Sequence, residues 1–101
     1  MTFKDLDTLL HSQVRLAIMT VLVTVESAEF SFLLESINTS KGNLSFQLKK
    51  LSEANYIQIK KSFRGSYPLT TCKITETGLA AYETYVNSID EYFSAFKKDK
   101  T

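Results

Sequence analysis

Residues 40–51 read SKGNLSFQLKKL, the clearest helical pattern in the chain. Ser40 is of a residue type that caps helix N-termini, so the spacing predicts a helix that begins at Lys41. Leu44, Leu48 and Leu51 lie within about 60° of one another on such a helix and form an apolar face. The opposite face and its flanks carry Gly42, Asn43, Ser45, Phe46, Lys49, Lys50 and Glu53. The stretch therefore predicts an amphipathic helix over residues 40–54, with a basic, polar face turned away from the core.

Three helical segments and a turn are predicted before this helix. The leucines within residues 6–10 suggest a short first helix. From Ser12 onward, apolar residues on both sides of the helical wheel predict a central, buried helix. Apolar residues spaced by three and four from Phe30 predict a further short helix, which Ser31 can cap. Residues 36–39 are mostly polar and predict the turn that leads into Ser40.

Two strands and a long helix are predicted after it. Residues 56–61 and 70–75 alternate apolar and polar side chains, which predicts two half-buried strands. Between them, residues 62–69 read SFRGSYPL and predict a hairpin with a long basic tip, called the wing below. From residue 75 or 76, apolar residues recur every three and four positions, at Leu79, Tyr82, Val86, Ile89, Phe93 and Phe96. This stripe is longer than a helix that only closes a small domain needs, so we expect it to contact both the domain and a second copy.

Composition limits the class of protein. The 101 residues fit one domain, and 44% apolar residues are enough for one core. No apolar run approaches the roughly 18 residues of a membrane span, and the first residues lack the pattern of a signal peptide. A single cysteine cannot form an internal disulfide, which favours a cytoplasmic location. We expect no membrane association.

Charge is distributed unevenly along the chain. Residues 41–64 carry six basic side chains against one acidic, a net charge of +5, although the whole chain has only +1. Residues 1–40 have a net charge of −3, and residues 65–101 of −1. This asymmetry favours a surface that faces a polyanion. The alternative is chance clustering of cations on a solvated face.

The order of elements predicts a winged helix-turn-helix, a mainly α fold with a small β-hairpin (α+β) and a long C-terminal helix. We expect one domain over residues 1–101, with a DNA-binding core over 1–75 and a dimerisation helix over 76–98. In this geometry the helix over 40–54 would lie in the major groove of double-stranded DNA, with the wing on the backbone or in the minor groove. The candidate DNA-binding residues are Ser40, Lys41, Gly42, Asn43, Ser45, Phe46, Gln47, Lys49, Lys50, Lys61 and Arg64.

Each candidate residue type has a physical reason. Asn43 and Gln47 carry amides of the kind that pair with adenine. Lysines contact phosphates, which adds affinity without sequence information. Gly42 leaves the backbone open near the positive end of a helix, and Arg64 could enter a minor groove. Phe46 could contact a thymine methyl group, bind another partner, or lie partly buried under the wing.

The chain resembles the small winged-helix transcriptional regulators related to the multiple-antibiotic-resistance and arsenical-repressor groups. The resemblance covers about residues 5–96 and rests on HSQVRLAIM, KGNLSFQLKKL, ANYI and TETGLAAYETY. It implies a homodimeric DNA-binding regulator with dimer contacts from the N- and C-terminal helices, here Leu6, Leu9, Leu79, Tyr82, Val86, Ile89, Phe93 and Phe96. Two positions depart from it, since the family usually has a polar or basic residue at Phe46 and glycine at Asn55.

Other functions have weaker support. Phe46 and Phe63 could anchor a protein partner, and an exposed Cys72 or an open pocket against the last helix would suit a redox- or ligand-switched repressor. The alternation of its strand places Cys72 in the core, and His11 is expected at the surface or as a cap. No catalytic motif, cofactor or metal site is indicated. Arg15 pairs with an acid or contacts the DNA backbone, and the sequence leaves both open.

Overall fold

Four helices and a three-stranded antiparallel sheet make up residues 2–99, the part of the chain that the computed structural model describes. In chain order the elements are α1 Gln13–Val25, β1 Ser27–Glu29, α2 Phe30–Ser36, α3 Lys41–Glu53, β2 Ile57–Arg64, β3 Tyr67–Ile74 and α4 Glu76–Asp99. This is the predicted winged helix-turn-helix. The single-domain prediction for residues 1–101 includes residues 1, 100 and 101, which lie outside the described residues. None of the helices within residues 2–99 combines the length and apolar character that a membrane span requires.

The sheet has the order β1-β3-β2. The strand β1 was not predicted, because three residues are too few to show an alternating pattern. It pairs with β3 with Ala28 opposite Cys72. The wing also differs from the expected long basic tip. The strands β2 and β3 stay paired out to Arg64 and Tyr67, so only a two-residue turn remains, which Gly65 enters with φ of +63°.

The N-terminal segment contains a turn where a short helix was expected. The carboxylate of Asp7 accepts hydrogen bonds from the backbone N–H groups of Leu9, at 2.8 Å, and Leu10, at 3.2 Å. This turn directs Leu10 into the core, where it is fully buried. The spacing of these leucines therefore reflects their contacts with the core and does not indicate a helix. The predicted cap of α2 was also wrong, because Ser31 lies inside the helix and Glu29 precedes it without a side-chain cap.

One core joins the helices to the sheet. The central helix α1 begins after Ser12 as predicted and buries Ile18, Met19 and Leu22. Helix α3 packs its predicted leucine face against it, and the remaining fully buried side chains include Leu10, Leu33, Ile57 and Cys72. Complete burial of a leucine or isoleucine side chain contributes about 1.5–3 kcal/mol relative to exposure. The leucines of α3 therefore fix which face of that helix is left outside.

A close backbone approach fixes the start of α4. The hydroxyl of Thr75 accepts a hydrogen bond from the N–H of Gly78 at 2.9 Å and donates to the carbonyl of Asn55 at 2.7 Å. A Cβ atom on Gly78 would lie 2.1 Å from the carbonyl oxygen of Tyr56, so only glycine fits there. Asn55 adopts the expected left-handed conformation, with φ of 63°. The first turn of α4 is thus held against the link between α3 and β2.

Candidate nucleic-acid interface

Helix α3 has the cap and the inner face that its sequence predicts. The Ser40 hydroxyl accepts a hydrogen bond from the N–H of Asn43 at 3.1 Å, which satisfies one of the free donors of the first turn. Leu44, Leu48 and Leu51 are buried. The helix is therefore anchored from inside and presents a single outer face.

The outer face of α3 is exposed and cationic. Its exposed side chains and open backbone positions are Lys41, Gly42, Ser45, Phe46, Lys49 and Lys50. Phe46 is 54% exposed and does not lie buried under the wing. The ammonium group of Lys50 lies 5.0 Å from the centre of the Phe46 ring, within the range of a cation–π contact. A Cβ atom on Gly42 would meet nothing within 4 Å, so the protein itself does not require glycine at this position.

A groove separates α3 from the wing. Lys41 and Ser45 line it from the helix, Lys61 from β2, and Pro68 and Leu69 from the wing. Glu29, the residue before α2, adds one carboxylate to the lining. Its volume is about 580 Å³. Two cations from distant parts of the sequence thus face one concavity, which the charge pattern alone did not reveal. A groove of this kind can accept the edge of an anionic backbone.

Arg64 does not line that groove, although its ion-pair partner Glu29 does. Its guanidinium donates a hydrogen bond to the carboxylate of Glu29 at 2.8 Å, which ties the end of β2 to the residue that precedes α2. The pair is exposed, with 69% of the Arg64 side chain and 38% of the Glu29 side chain accessible. Any phosphate contact by Arg64 would therefore compete with this ion pair.

Asn43 and Gln47 lie on the flank of α3 that faces α1, and both are half-buried. The guanidinium of Arg15 donates to the Gln47 amide oxygen at 2.5 Å and to the carbonyl oxygen of Leu9 at 2.6 Å. The sequence suggested an acidic partner or the DNA backbone for Arg15, and the structure instead gives it the amide of Gln47. The sequence carried no signal for the contact, because Arg15 and Gln47 are 32 positions apart.

The other candidate groups show no reactive or metal-binding arrangement within residues 2–99. Cys72 is fully buried, and burial raises the pKa of its thiol to about 11, which opposes the redox alternative. A ring nitrogen of His11 is hydrogen-bonded with the Tyr85 hydroxyl at 2.8 Å. Residues 2–99 contain no cluster of three or more His, Cys, Asp or Glu residues that could hold a metal ion. A cleft of about 300 Å³ lies between Phe3 and the last turns of α4 near Ser94. The structure therefore does not contradict the alternative of a ligand-switched repressor.

Helix α4 leaves most of its apolar stripe at the surface. Tyr82 and Ile89 are half-buried, whereas Phe93 is 56% exposed and Phe96 61%. Leu79 and Val86 are exposed as well. Leu6 and Leu9, the other predicted dimer residues, pack partly buried against the core. The stripe therefore remains available for contact with another molecule.

Comparison with known proteins supports the same fold. The chain matches the winged helix DNA-binding domain family over residues 14–93. An uncharacterised protein of Methanocaldococcus jannaschii is 38% identical over 79 residues, which are 78% of this chain and 86% of that protein. A transcriptional regulator homologue from Pyrococcus horikoshii superposes with a TM-score of 0.81 at 24% identity, covering 87% of each chain. A putative transcriptional regulator of the MarR family from Enterococcus faecalis superposes with a TM-score of 0.76 at 15% identity, covering 92% of this chain and 83% of that one.

These comparisons confirm the resemblance to winged-helix regulators. The two solved structures share less than 25% of their residues with the chain, and they show the fold. The family match is independent of them and covers α1 through most of α4. The chain therefore belongs to the winged helix DNA-binding domain family.

Proposed function

We propose that the protein is a homodimeric transcriptional regulator that binds a specific sequence of double-stranded DNA. Helix α3 lies in the major groove, and the wing contacts the backbone or the minor groove. The observation that carries this proposal is the groove that Lys41, Ser45 and Lys61 line together. In this groove α3 and the wing flank one concavity that carries two lysines and one glutamate, and this net positive lining supports contact with a phosphate backbone.

Different residues on the exposed face of α3 would supply binding affinity and sequence readout. Lys41, Lys49 and Lys50 are exposed point charges that would contact phosphates and release counterions. Ser45 and Phe46 lie between them along the helix and would face base edges. A phenylalanine ring cannot donate or accept a strong hydrogen bond, so its readout would be apolar contact with a thymine methyl group.

The exposed stripe of α4 is the proposed dimer interface. The 24 residues of this helix span about 36 Å, well beyond its contacts with the core. Pairing two stripes would bury Val86, Phe93 and Phe96, which otherwise remain at the surface. A two-fold dimer would present two copies of α3 about 34 Å apart and predicts a pseudo-palindromic site. A protein that sediments as a monomer at tens of micromolar would contradict this part of the proposal.

A protein partner at the same surface is the second candidate. Phe46 and Phe63 are both exposed, on α3 and on the wing respectively. Two exposed aromatic rings can anchor an apolar partner. This candidate predicts weak DNA binding that does not select a sequence.

The test is selection from a randomised duplex library, with affinities measured from about 50 mM to about 200 mM salt. The variant Lys41→Ala/Lys61→Ala, which removes both lysines of the groove, is compared with Lys73→Ala/Lys97→Ala, which removes the same charge away from the groove. We expect enrichment of a two-fold symmetric sequence. We also expect weaker binding and a salt slope smaller by about 2 for the first variant only.

The outcomes separate the candidates. Equal weakening by both double variants would mean that total charge, and not the groove, governs binding. Binding that is absent, or that neither selects a sequence nor depends on salt, would contradict the DNA proposal and favour the protein partner.

A further inference from the structure

A chain of four hydrogen bonds crosses from the N-terminal segment to the recognition helix. Arg15, in the first turn of α1, donates to the carbonyl of Leu9 at 2.6 Å and to the Gln47 amide oxygen at 2.5 Å. The Gln47 amide nitrogen donates to the Asn43 amide oxygen at 3.1 Å. The Asn43 amide nitrogen donates to the Thr39 hydroxyl at 2.8 Å, in the turn before α3.

The direction of every bond follows from Arg15. A guanidinium group has donors and no acceptor, so Gln47 must turn its oxygen toward it. The nitrogen of Gln47 then faces Asn43, which must present its oxygen in turn. One cation on α1 therefore fixes the orientation of two amides on α3.

This arrangement changes the role of the two amides. An amide reads adenine by using its oxygen and its nitrogen together. Both groups of Gln47 already bind partners inside the protein, and the side chain is half-buried. Ser45, Phe46 and Lys49 are exposed on the outer face of the same helix. Gln47 and Asn43 thus hold the helix, while the residues beside them are free to face bases.

We propose that Arg15 is a positioning residue for sequence recognition. By orienting Gln47 and Asn43, it fixes α3 on α1 and so sets where Ser45 and Phe46 meet the base edges. It does this without touching DNA. The inference rests on the proposed DNA-binding function and identifies what controls selectivity there.

The experiment uses the full chain and the duplex enriched from the library. Arg15→Met, Gln47→Met and the double variant are compared with wild type and with Lys73→Met, a loss of the same charge on β3 outside the groove. The readouts are the ratio of Kd for an unrelated duplex to Kd for the enriched duplex, and the salt slope of each. Circular dichroism melts confirm that each variant is folded under assay conditions.

We expect Arg15→Met to lower the selectivity ratio about tenfold, the scale of one mismatched base pair. Its salt slope and its affinity for the unrelated duplex should match those of Lys73→Met. The double variant should lose no more selectivity than Arg15→Met alone, because both changes break the same chain of bonds. Arg15→Lys should recover part of the selectivity, since an ammonium group can still donate to the Gln47 oxygen.

Four results would overturn the inference. A salt slope smaller by about 1 in Arg15→Met, with unchanged selectivity, would show a direct phosphate contact. Additive losses in the double variant would show that Arg15 and Gln47 act independently. Failure of the wild-type protein to bind DNA at all would overturn the proposed function, and this inference with it. Selective binding by wild type with equal selectivity in Arg15→Met would overturn this inference alone.

Discussion

Helices α3 and α4 differ in how far their apolar residues are buried. Helix α3 buries Leu44, Leu48 and Leu51 and exposes lysines on its other face. Helix α4 buries Tyr85 but leaves Val86 and the phenylalanines of its last turns at the surface. The apolar face of α3 is covered by the rest of the same chain, and its outer face is suited to an anion. Helix α4 carries an apolar face of the kind that becomes buried on association.

The difference shows that one amphipathic pattern can serve two purposes. In α3 the apolar stripe lies in the core of the domain. In α4 much of a stripe with the same spacing lies at the surface. Periodicity identifies both helices but does not say which molecule covers the stripe. Burial in the folded chain separates the two, and variants in each helix can test whether their partners differ.

The largest effect is expected at the point where α4 meets the domain. In Gly78→Ala the new Cβ atom would lie 2.1 Å from the Tyr56 carbonyl oxygen, so α4 or the α3–β2 link must move. We expect a loss of about 3 kcal/mol in the free energy of unfolding, measured by urea denaturation.

The matched control for that variant is Gly42→Ala in α3, where the added atom meets nothing within 4 Å. Alanine favours a helix over glycine, so this variant should be unchanged or stabilised by up to about 1 kcal/mol. Equal stability changes in the two variants would mean that the contact at Gly78 does not hold α4.

Two phenylalanines allow a crossed test of the two faces. Phe93→Ala should weaken the dimer about thirtyfold, near 2 kcal/mol, because a large apolar contact is lost from the proposed interface. Phe46→Ala should leave dimerisation unchanged and reduce sequence selectivity. Analytical ultracentrifugation measures the first property and duplex selection the second. A variant that changed both properties equally would indicate that the two faces are not independent.

Alkaline pH should destabilise the fold. Burial raises the pKa of the Cys72 thiol to about 11. Burial, together with the hydrogen bond to Asp7, raises the pKa of the Tyr56 phenol to about 12. In the unfolded chain these groups lose protons near their ordinary pKa values of 9.0 and 10.0, while the folded chain keeps them protonated.

The unfolded state therefore binds fewer protons between about pH 9 and about pH 12, so stability falls as pH rises through this range. Urea midpoints at about pH 8 and about pH 10 measure the effect. In Cys72→Ala the dependence on pH should be shallower, whatever the absolute stability of the variant. A stability that is level across this range would contradict the prediction.

The smallest effect is expected for the ion pair between the wing and α2. Glu29→Gln removes an exposed partner of Arg64, and exposed pairs contribute at most about 1 kcal/mol. We expect a loss of about 0.5 kcal/mol or less in the free energy of unfolding, measured in parallel with wild type. A loss above about 2 kcal/mol would show that the pair is a structural link between the wing and the domain and not a surface contact.

Patterns that depend on local spacing were predictable from the sequence. Ser40 caps α3, Asn55 adopts the left-handed conformation, and the wing strands form, because each depends on neighbouring residues. Patterns that depend on distant partners were not. The leucines near Asp7 have helical spacing but lie in a turn. The Asp7 carboxylate bonds the local backbone there and also accepts a hydrogen bond from the hydroxyl of Tyr56, 49 positions away.

The candidate site follows the same division. The basic outer face of α3 was visible in SKGNLSFQLKKL, because a helical wheel needs only one segment. The bond between Arg15 and Gln47 was hidden, because it joins two helices. So was the ion pair of Arg64 with Glu29, which depends on how the wing lies against α2.

The burial of Cys72 has a practical consequence for experiments in solution. It is the only cysteine in the sequence, and its thiol is enclosed and protonated at neutral pH. Reagents that label thiolates should therefore leave the native protein unmodified. A thiol introduced by Ser66→Cys, in the exposed turn at the end of the wing, would then be the single reactive position. A fluorophore attached there would report the distance between the wing and a labelled duplex without removal of the natural cysteine.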